Sequence, residues 1–283
     1  MSILIDGKST AQKCNSILKD SINELVQKGN RHPKLTVIQV GNVPASSLYI
    51  RNKMRACERV GILFEHITFE ADVTQSELLK TIEQLNHNEL VDGILVQLPL
   101  PKHINEDEII SAIAPEKDAD GFNPITLGHV MLNTSDIFPG TPKGIVRLLE
   151  EYQIPIEGAN IVVVGRSNIV GKPVASMLTN KSATVTVCHS KTKNLAEITK
   201  RADILIVAIG RANFITKDFV NEKTTIIDVG INKVNDKFCG DVDFENVKDI
   251  VHAITPVPGG VGPMTISSLL DNVFKLYTKK IEQ

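Results

Sequence analysis

Apolar positions in the first part of the chain switch repeatedly between the period of a strand and that of a helix. Leu35 to Val40 reads as a buried strand, Ala45 to Val60 as a helix, Ile62 to Phe69 as a strand, Gln75 to Asn86 as a helix and Gly93 to Leu98 as a strand. Thr74, followed three residues later by Glu77, forms a capping box that starts the second of these helices. Ahead of them, Gln12 to Gln27 carries Ile17, Ile22, Leu25 and Val26 as a rough helical stripe. Strands separated by helices predict an α/β fold with a parallel sheet covered on both faces.

The pattern weakens between Pro115 and Pro142, where prolines and glycines recur, and this stretch fits a domain junction. The boundary is placed near Gly121, dividing the chain into 1–120 and 121–283. Thr141 and Pro142 then start a helix, Thr as N-cap and Pro in the first turn, with Ile145, Leu148, Leu149 and Tyr152 on one face. A second series follows: a strand from Ile161 to Gly165, a helix from about Lys172, a strand from Ala183 to Cys188 and a helix through Leu195 and Ile198. Strands from Ile204 to Ala208 and from Thr225 to Val229 complete it. Strand, tight glycine turn, helix and strand in that order is a nucleotide-binding layout. Ile266, Leu269, Leu270, Val273, Phe274 and Tyr277 line one face of a last helix, expected to pack back onto the N-terminal domain.

Composition narrows the function classes. A net charge of -2, with 42% hydrophobic residues, gives no sign of a disordered chain or a polyanion-binding surface, so no nucleic acid partner is expected. Cys14, Cys57, Cys188 and Cys239 lie far apart, which makes neither a zinc site nor a disulfide framework and fits a reducing compartment. No stretch approaches the ~20 apolar residues of a membrane span, and the start of the chain has no signal-like apolar run, so a soluble, cytoplasmic protein is expected.

Glycines stand at both ends of the turn Gly165-Arg166-Ser167-Asn168-Ile169-Val170-Gly171, where backbone must approach a pyrophosphate. By itself this could equally be a tight turn in a sheet. The next strand ends Cys188-His189-Ser190-Lys191-Thr192, with no acid to accept from an adenosine 2′-hydroxyl, and Arg166 lies on the neighbouring turn. Hydroxyls and cations without a carboxylate favour NADP over NAD, the competing reading being a solvated strand end.

Tyr49 and Lys53 are four apart on a helix and share a face. The same spacing occurs in short-chain dehydrogenases, but there it follows the dinucleotide turn, whereas here it precedes it, which excludes that family. Gln97 ends an apolar strand and is stopped by Pro99-Leu100-Pro101, leaving its side chain at the carboxyl edge where α/β sheets place ligands. Asp118, Asp120 and Gly121 follow at the junction. Pro256 to Thr265, with Pro258, Gly259 and Gly260 at its centre, reads as a rigid, bulk-free loop able to lie close to a flat ligand.

Together these segments resemble the methylenetetrahydrofolate dehydrogenase/cyclohydrolase family. The carriers are Tyr49-x3-Lys53, Val91 to Pro101, Lys117-Asp118-Ala119-Asp120-Gly121, Gly165 to Pro173 and Pro256 to Pro263, in order and nearly end to end. The resemblance implies an N-terminal catalytic domain and a Rossmann-like NADP domain, folate in a cleft between them, and a homodimer formed through the NADP domains. It implies Lys53 as the catalytic lysine with Tyr49 and Gln97 as partners, and Asp120 as the acid on the pterin. Leu98, Pro99, Pro258, Gly259 and Gly260 would contact substrate, and Gly165, Arg166, Ser167, Ser190 and Ile231 would hold NADP. No metal is required. Ala119, Phe122 and Asn123 depart from the commoner residues at the junction. The implied activity is oxidation of 5,10-methylenetetrahydrofolate to the methenyl compound and hydrolysis of that to 10-formyltetrahydrofolate; a dehydrogenase lacking the second step is the alternative.

Overall fold

The computed structural model describes residues 2–42, 44–235 and 237–282. The first half runs β1 (Ile3–Leu4), α1 (Gly7–Gln27), β2 (Lys34–Val40), α2 (Pro44–Val60), β3 (Leu63–Phe69), α3 (Gln75–His87), β4 (Gly93–Val96), α4 (Glu106–Ala112) and α5 (Pro124–Met131). The second continues with α6 (Gly140–Glu151), β5 (Asn160–Val164), α7 (Gly171–Asn180), β6 (Thr184–Cys188), α8 (Leu195–Thr199), β7 (Ile204–Val207) and β8 (Thr225–Asp228). The chain closes with β9 (Asn232–Val234), β10 (Lys237–Cys239), α9 (Phe244–Val247), β11 (Ala253–Ile254) and α10 (Val261–Ile281). By compactness it divides into two units, 1–12 with 141–265 and 13–140 with 266–283.

The first unit carries a six-stranded sheet in the order β1-β11-β8-β7-β5-β6, parallel throughout. Its inner strands β7 and β8 are buried along their whole length, as a sheet covered on both faces requires, whereas edge strand β6 is only partly covered. Chain direction across the sheet reverses at β5, which pairs with β6 on one side and β7 on the other. The carboxyl ends of β5 and β7 therefore border the crevice where such sheets receive ligands. Two-residue strand β1 was invisible to periodicity, yet it extends the sheet by pairing Ile3 with Ala253.

Helix α6 begins at Gly140, and the hydroxyl of Thr141 pairs with that of Thr265 at 2.9 Å. Ile145, Leu148 and Leu149 are fully buried, and the Tyr152 hydroxyl accepts from the Asp6 amide at 2.7 Å.

The second unit holds the three-stranded parallel sheet β3-β2-β4. Its two faces follow from strand alternation. Leu35 and Val37 of β2 enter a core with Leu18, Ile22, Ile50, Cys57 and Val60, and Leu269, Leu270, Val273 and Leu276 of α10 share it. Ile38 and Val40 enter the opposite core with Leu78, Ile82, Leu85, Ile94 and Ile109. The expected capping box is present, Thr74 accepting from the Glu77 amide while Glu77 accepts from that of Thr74.

Three expectations change. Ile17 does not face the core; it is 54% exposed, and Leu18, 6% exposed, takes that place on α1. The stretch after Gly121, read as a domain junction, is ordered: it forms α5 and packs with what precedes it. Asn272 of α10 donates to the carbonyls of Ala119 and Phe138 at 2.9 and 2.8 Å, tying both sides of Gly121 together. The compact unit consequently reaches Gly140, while residues 1–12 pack with the second half. Finally, α10 starts at Val261, so the glycine-rich loop ends at Gly260 and Val261 to Thr265 are helical.

Leu18→Ala should lower unfolding free energy by about 2–5 kcal/mol, the usual cost of an internal leucine cavity, and Ile17→Ala by less than about 0.5 kcal/mol, as expected at an exposed position. Urea unfolding followed by circular dichroism separates the two; equal losses would contradict the assignment of the buried face.

Candidate active site

In the second unit, strand order reverses at β2, which pairs with β3 on one side and β4 on the other. Gln97 follows β4 directly, and its amide continues the ladder to the Ile38 carbonyl at 2.8 Å. The Gln97 carboxamide is held at both ends: Nε2 donates to the Leu98 carbonyl at 2.8 Å and Oε1 accepts from Lys53 Nζ at 3.1 Å. Leu98 is partly buried and Pro99 exposed, joined by a cis peptide bond.

Lys53 projects half-buried from α2, and burial pushes its ammonium below the usual lysine range. The Asp120 carboxylate opposes that shift. Burial raises Asp120 to about 6, with Lys53 pulling it down and Asp118 adding to the rise. Cys57, one helical turn beyond Lys53, is pushed up to about 12, so its thiol stays neutral. Tyr49, one turn before Lys53, is 44% exposed.

Asp118 explains how Asp120 is presented. It is buried, and its oxygens accept from the amides of Gly121, Phe122 and Asn123 at 3.0, 3.3 and 2.8 Å, winding the chain sharply just after Asp120. Gly121 has φ +74, and a Cβ there would meet the Phe138 carbonyl carbon at 2.7 Å. Asn123 is the N-cap of α5, accepting from the Ile125 amide at 2.8 Å, while Ala119 lies against Gly93 where space is short.

A larger cavity of about 590 Å³ in this unit is lined by Asp92, Lys117, His129, Asp136, Lys279 and Lys280, among others. Asp92 immediately precedes β4, so this cavity borders the end of that strand opposite to Gln97. Its cations are engaged: Lys117 donates to the carbonyls of Leu85 and Asn88, Lys280 to that of Glu89, and Lys279 pairs with Asp136. These bonds tie segment ends together, and the cavity is not the candidate site.

In the first unit, a cavity of about 280 Å³ opens at the carboxyl ends of β5, β6 and β7, bounded by Gly165, Arg166, Ser190, Ile209, Arg211 and Phe214 among others. Gly165 has φ +132, and a Cβ on it would lie 2.3 Å from the Ala208 carbonyl oxygen; a Cβ on Gly171 would lie 2.3 Å from that of Gly165. Both glycines are therefore obligatory for the turn. The Ser167 hydroxyl accepts from the amides of Val170 and Gly171 at 3.2 and 3.3 Å, closing the turn before α7. Ile231 is 47% exposed and lies outside the cavity lining. Arg166 and Ser190 are brought together with no carboxylate among the lining residues, a composition that fits a phosphorylated nucleotide.

Pro258, Gly259 and Gly260 belong to this first unit, apart in the chain's division from Lys53, Gln97 and Asp120. Their lack of bulk serves a close approach of the chain to itself. The Lys8 amide donates to the Gly259 carbonyl at 2.9 Å, and a Cβ on Gly7 would overlap the Gly260 carbonyl oxygen at 1.8 Å.

Comparison with known proteins agrees with this layout. Residues 5–120 match the model for the catalytic domain of tetrahydrofolate dehydrogenase/cyclohydrolase, and residues 139–281 match that for its NAD(P)-binding domain. The chain belongs to this family. A relative from Sulfurihydrogenibium sp., bifunctional protein FolD, is 53% identical over 99% of both chains. The crystal structure of the FolD enzyme of Campylobacter jejuni superposes with a TM-score of 0.97 at 47% identity, covering 99% of each chain. The Trypanosoma brucei enzyme, solved with NADP and an inhibitor, superposes at 0.96 with 34% identity, covering 100% of this chain and 99% of that one. Among the described residues, no cluster of His, Cys, Asp or Glu could hold a metal ion, and no helix is long and apolar enough to cross a membrane.

Sequence reasoning placed Lys53, Gln97 and Asp120 in one domain but missed Asp118 as the organiser of their loop, and it missed Arg211 and Phe214. Nothing in the sequence marked Asp118 for this role, because any acid has amides three to five residues ahead of it and only the fold decides whether it collects them.

If Asp120 holds up the Lys53 ammonium, Asp120→Asn should move the pH midpoint of Lys53 acylation downward, since removing the anion leaves desolvation unopposed. Peptide mapping after pulse labelling with an acetylating reagent reads this directly; an unchanged midpoint would mean that the two groups do not interact.

Proposed function

We propose that Lys53, its amine depressed by burial and held at 3.1 Å by Gln97, is the proton-transferring group of a bifunctional folate enzyme. The enzyme oxidises 5,10-methylenetetrahydrofolate with NADP and hydrolyses the methenyl product to 10-formyltetrahydrofolate. That single observation carries the reading, because hydrolysis needs a base near neutral pH and an ordinary lysine, near ~10.4, cannot serve.

Oxidation removes a hydride from the carbon between N5 and N10 and leaves a methenyl cation. NADP, when bound, supplies the acceptor for that hydride. The cavity with Gly165, Arg166 and Ser190 is suited to its adenosine phosphate end, Ser167 closes the turn beside it, and Ile231 would meet another part of the cofactor. The chain's own task in this step is to align two flat ring systems, and the restrained Gln97 carboxamide and the Asp120 carboxylate supply fixed polar points for the folate. Asp120, ionised above about pH 6, accepts from the amino group and ring N–H of the pterin. Tyr49, Leu98 and Pro99 adjoin those groups on the same helix and strand end.

Hydrolysis follows. The oxygen of a water molecule bonds to the methenyl carbon while Lys53 takes the proton it releases, giving a neutral carbinolamine. The bond from that carbon to N5 then breaks, the Lys53 ammonium protonates N5, and the hydroxyl proton leaves as the formyl C=O forms on N10. One proton is released overall, and Gln97 keeps the amine in place throughout without adding charge.

A homodimer formed through the NADP-binding unit is part of the proposal. Its support is that the six-stranded sheet ends at β6, an edge strand with Val187 39% exposed, and such edges invite a partner. A cytoplasmic setting is supported by four cysteines that are all free.

Lys53→Met keeps the apolar stem and removes the amine. Cyclohydrolase activity should fall by ~10²-fold or more, while dehydrogenase activity stays measurable. The experiment supplies methenyltetrahydrofolate alone and follows its absorbance, then supplies methylenetetrahydrofolate with NADP and follows reduction. Parental hydrolysis by the variant, after subtracting the spontaneous rate, would remove Lys53 from the mechanism.

A further inference from the structure

The cavity at the ends of β5, β6 and β7 contains a second guanidinium that the reading above does not use. Arg211 follows β7 and lines the cavity together with Arg166, His189 and Ser190. Its Cζ lies 4.4 Å from the centroid of the Phe214 ring, so the long side chain rests against an aromatic wall of the same cavity. Neither Arg166 nor Arg211 forms an ion pair with a described residue. Two guanidiniums lining one small cavity without a carboxylate repel each other, and an anionic ligand removes that cost.

The loop that presents Arg211 is unusually well fixed. Asp241, fully buried, accepts from the amides of Ile209, Gly210 and Arg211 at 2.7, 3.0 and 2.7 Å and from the Asn232 side chain at 2.9 Å. The Asn213 amide donates to the Gly240 carbonyl at 3.2 Å and the Ile215 amide to that of Asp241 at 3.0 Å. Asp241 is itself seated on Asp228, whose Oδ1 accepts from its amide at 2.9 Å. Gly230 and Gly240 leave the room these carboxylates fill: a Cβ on either would lie about 2 Å from a carboxylate oxygen, at 2.1 and 1.8 Å. A surface arginine of no consequence would not need a loop anchored at three successive amides. His189 adds a fixed donor, because its Nδ1 accepts from the Lys191 amide at 3.2 Å and so leaves the ring proton of the neutral form on Nε2.

We propose that Arg211 is a second phosphate-directed cation of this cavity, acting with Arg166 to select the 2′-phosphorylated cofactor, and that Asp241 fixes the loop that presents it. The apolar part of the lining, Leu195, Ile209 and Phe214, suits a flat purine, which leaves the cations for the phosphate at its ribose. This rests on the assignment of the cavity to the adenosine end of NADP.

The test titrates full-length protein calorimetrically with 2′,5′-ADP and with 5′-AMP, which differ in the 2′-phosphate alone. Arg211→Met retains an apolar stem over Phe214 and removes the charge. It should weaken 2′,5′-ADP about tenfold or more, the scale of one charge-assisted hydrogen bond, and leave 5′-AMP within about twofold. Arg211→Lys should recover part of the loss, and the salt dependence of 2′,5′-ADP binding should be shallower in Arg211→Met. If Arg166→Ala loses 2′,5′-ADP selectively while Arg211→Met does not, Arg211 is only a wall of the cavity; the proposal falls and the cofactor assignment stands. Equal weakening of both ligands by Arg211→Met would likewise overturn it. If the parent protein itself does not distinguish the two ligands, the cofactor assignment fails and the proposal falls with it.

Discussion

The two larger sheets are parallel, and in a parallel sheet covered on its two faces only the strand ends remain open to chemistry. Each unit has one strand at which the order reverses, β2 in one and β5 in the other, and the functional candidates collect there. The open ends leave amides without ladder partners. Those amides decide what the loops look like, since a buried N–H without an acceptor costs about 1–3 kcal/mol. At the loops beside these ends the acceptors are carboxylates: Asp118 gathers three amides just ahead of α5 and Asp241 three after β7.

The same device gives different results in the two places. Beside Asp118 it leaves Asp120 and Lys53 as a pair of partly desolvated, opposite charges, each pulled towards neutrality by burial and restrained by the other. Burial moves the lysine down and the aspartate up, towards the range in which proton transfer is useful. Beside Asp241 the loop turns an arginine and a phenylalanine into the wall of a cavity. Asp228, pushed up to about 7 by burial in spite of the amides it accepts from, lies beneath as a support and is not one of the cavity's lining residues.

Glycines mark where backbone meets backbone. Gly165 against Ala208, and Gly7 against Gly260, are approaches that no side chain permits. The first shapes the turn between β5 and α7. The second shows that a loop dense in proline and glycine can owe part of its composition to intramolecular packing even where a ligand is also expected.

Much of this was legible in the chain. Long strands such as β2 and β5, the capping box of α3 and the apolar stripe of α10 are local patterns whose period alone determines them, and Lys53, Gln97 and Asp120 stood out because their motifs are contiguous. What the sequence could not carry was whatever depends on distant segments. Strand β1 exists only because β11 offers it a partner, and the junction after Gly121 is ordered only because Asn272 reaches Ala119 and Phe138. Whether Ile17 or Leu18 is buried turns on a rotation of α1 that neighbouring elements set. Arg211 is one exposed cation among many in the chain; an aspartate thirty residues further on places it at the mouth of a cavity. Local periodicity fixes which faces are apolar, but the partner of each face, and the field at each buried charge, come only from tertiary contacts.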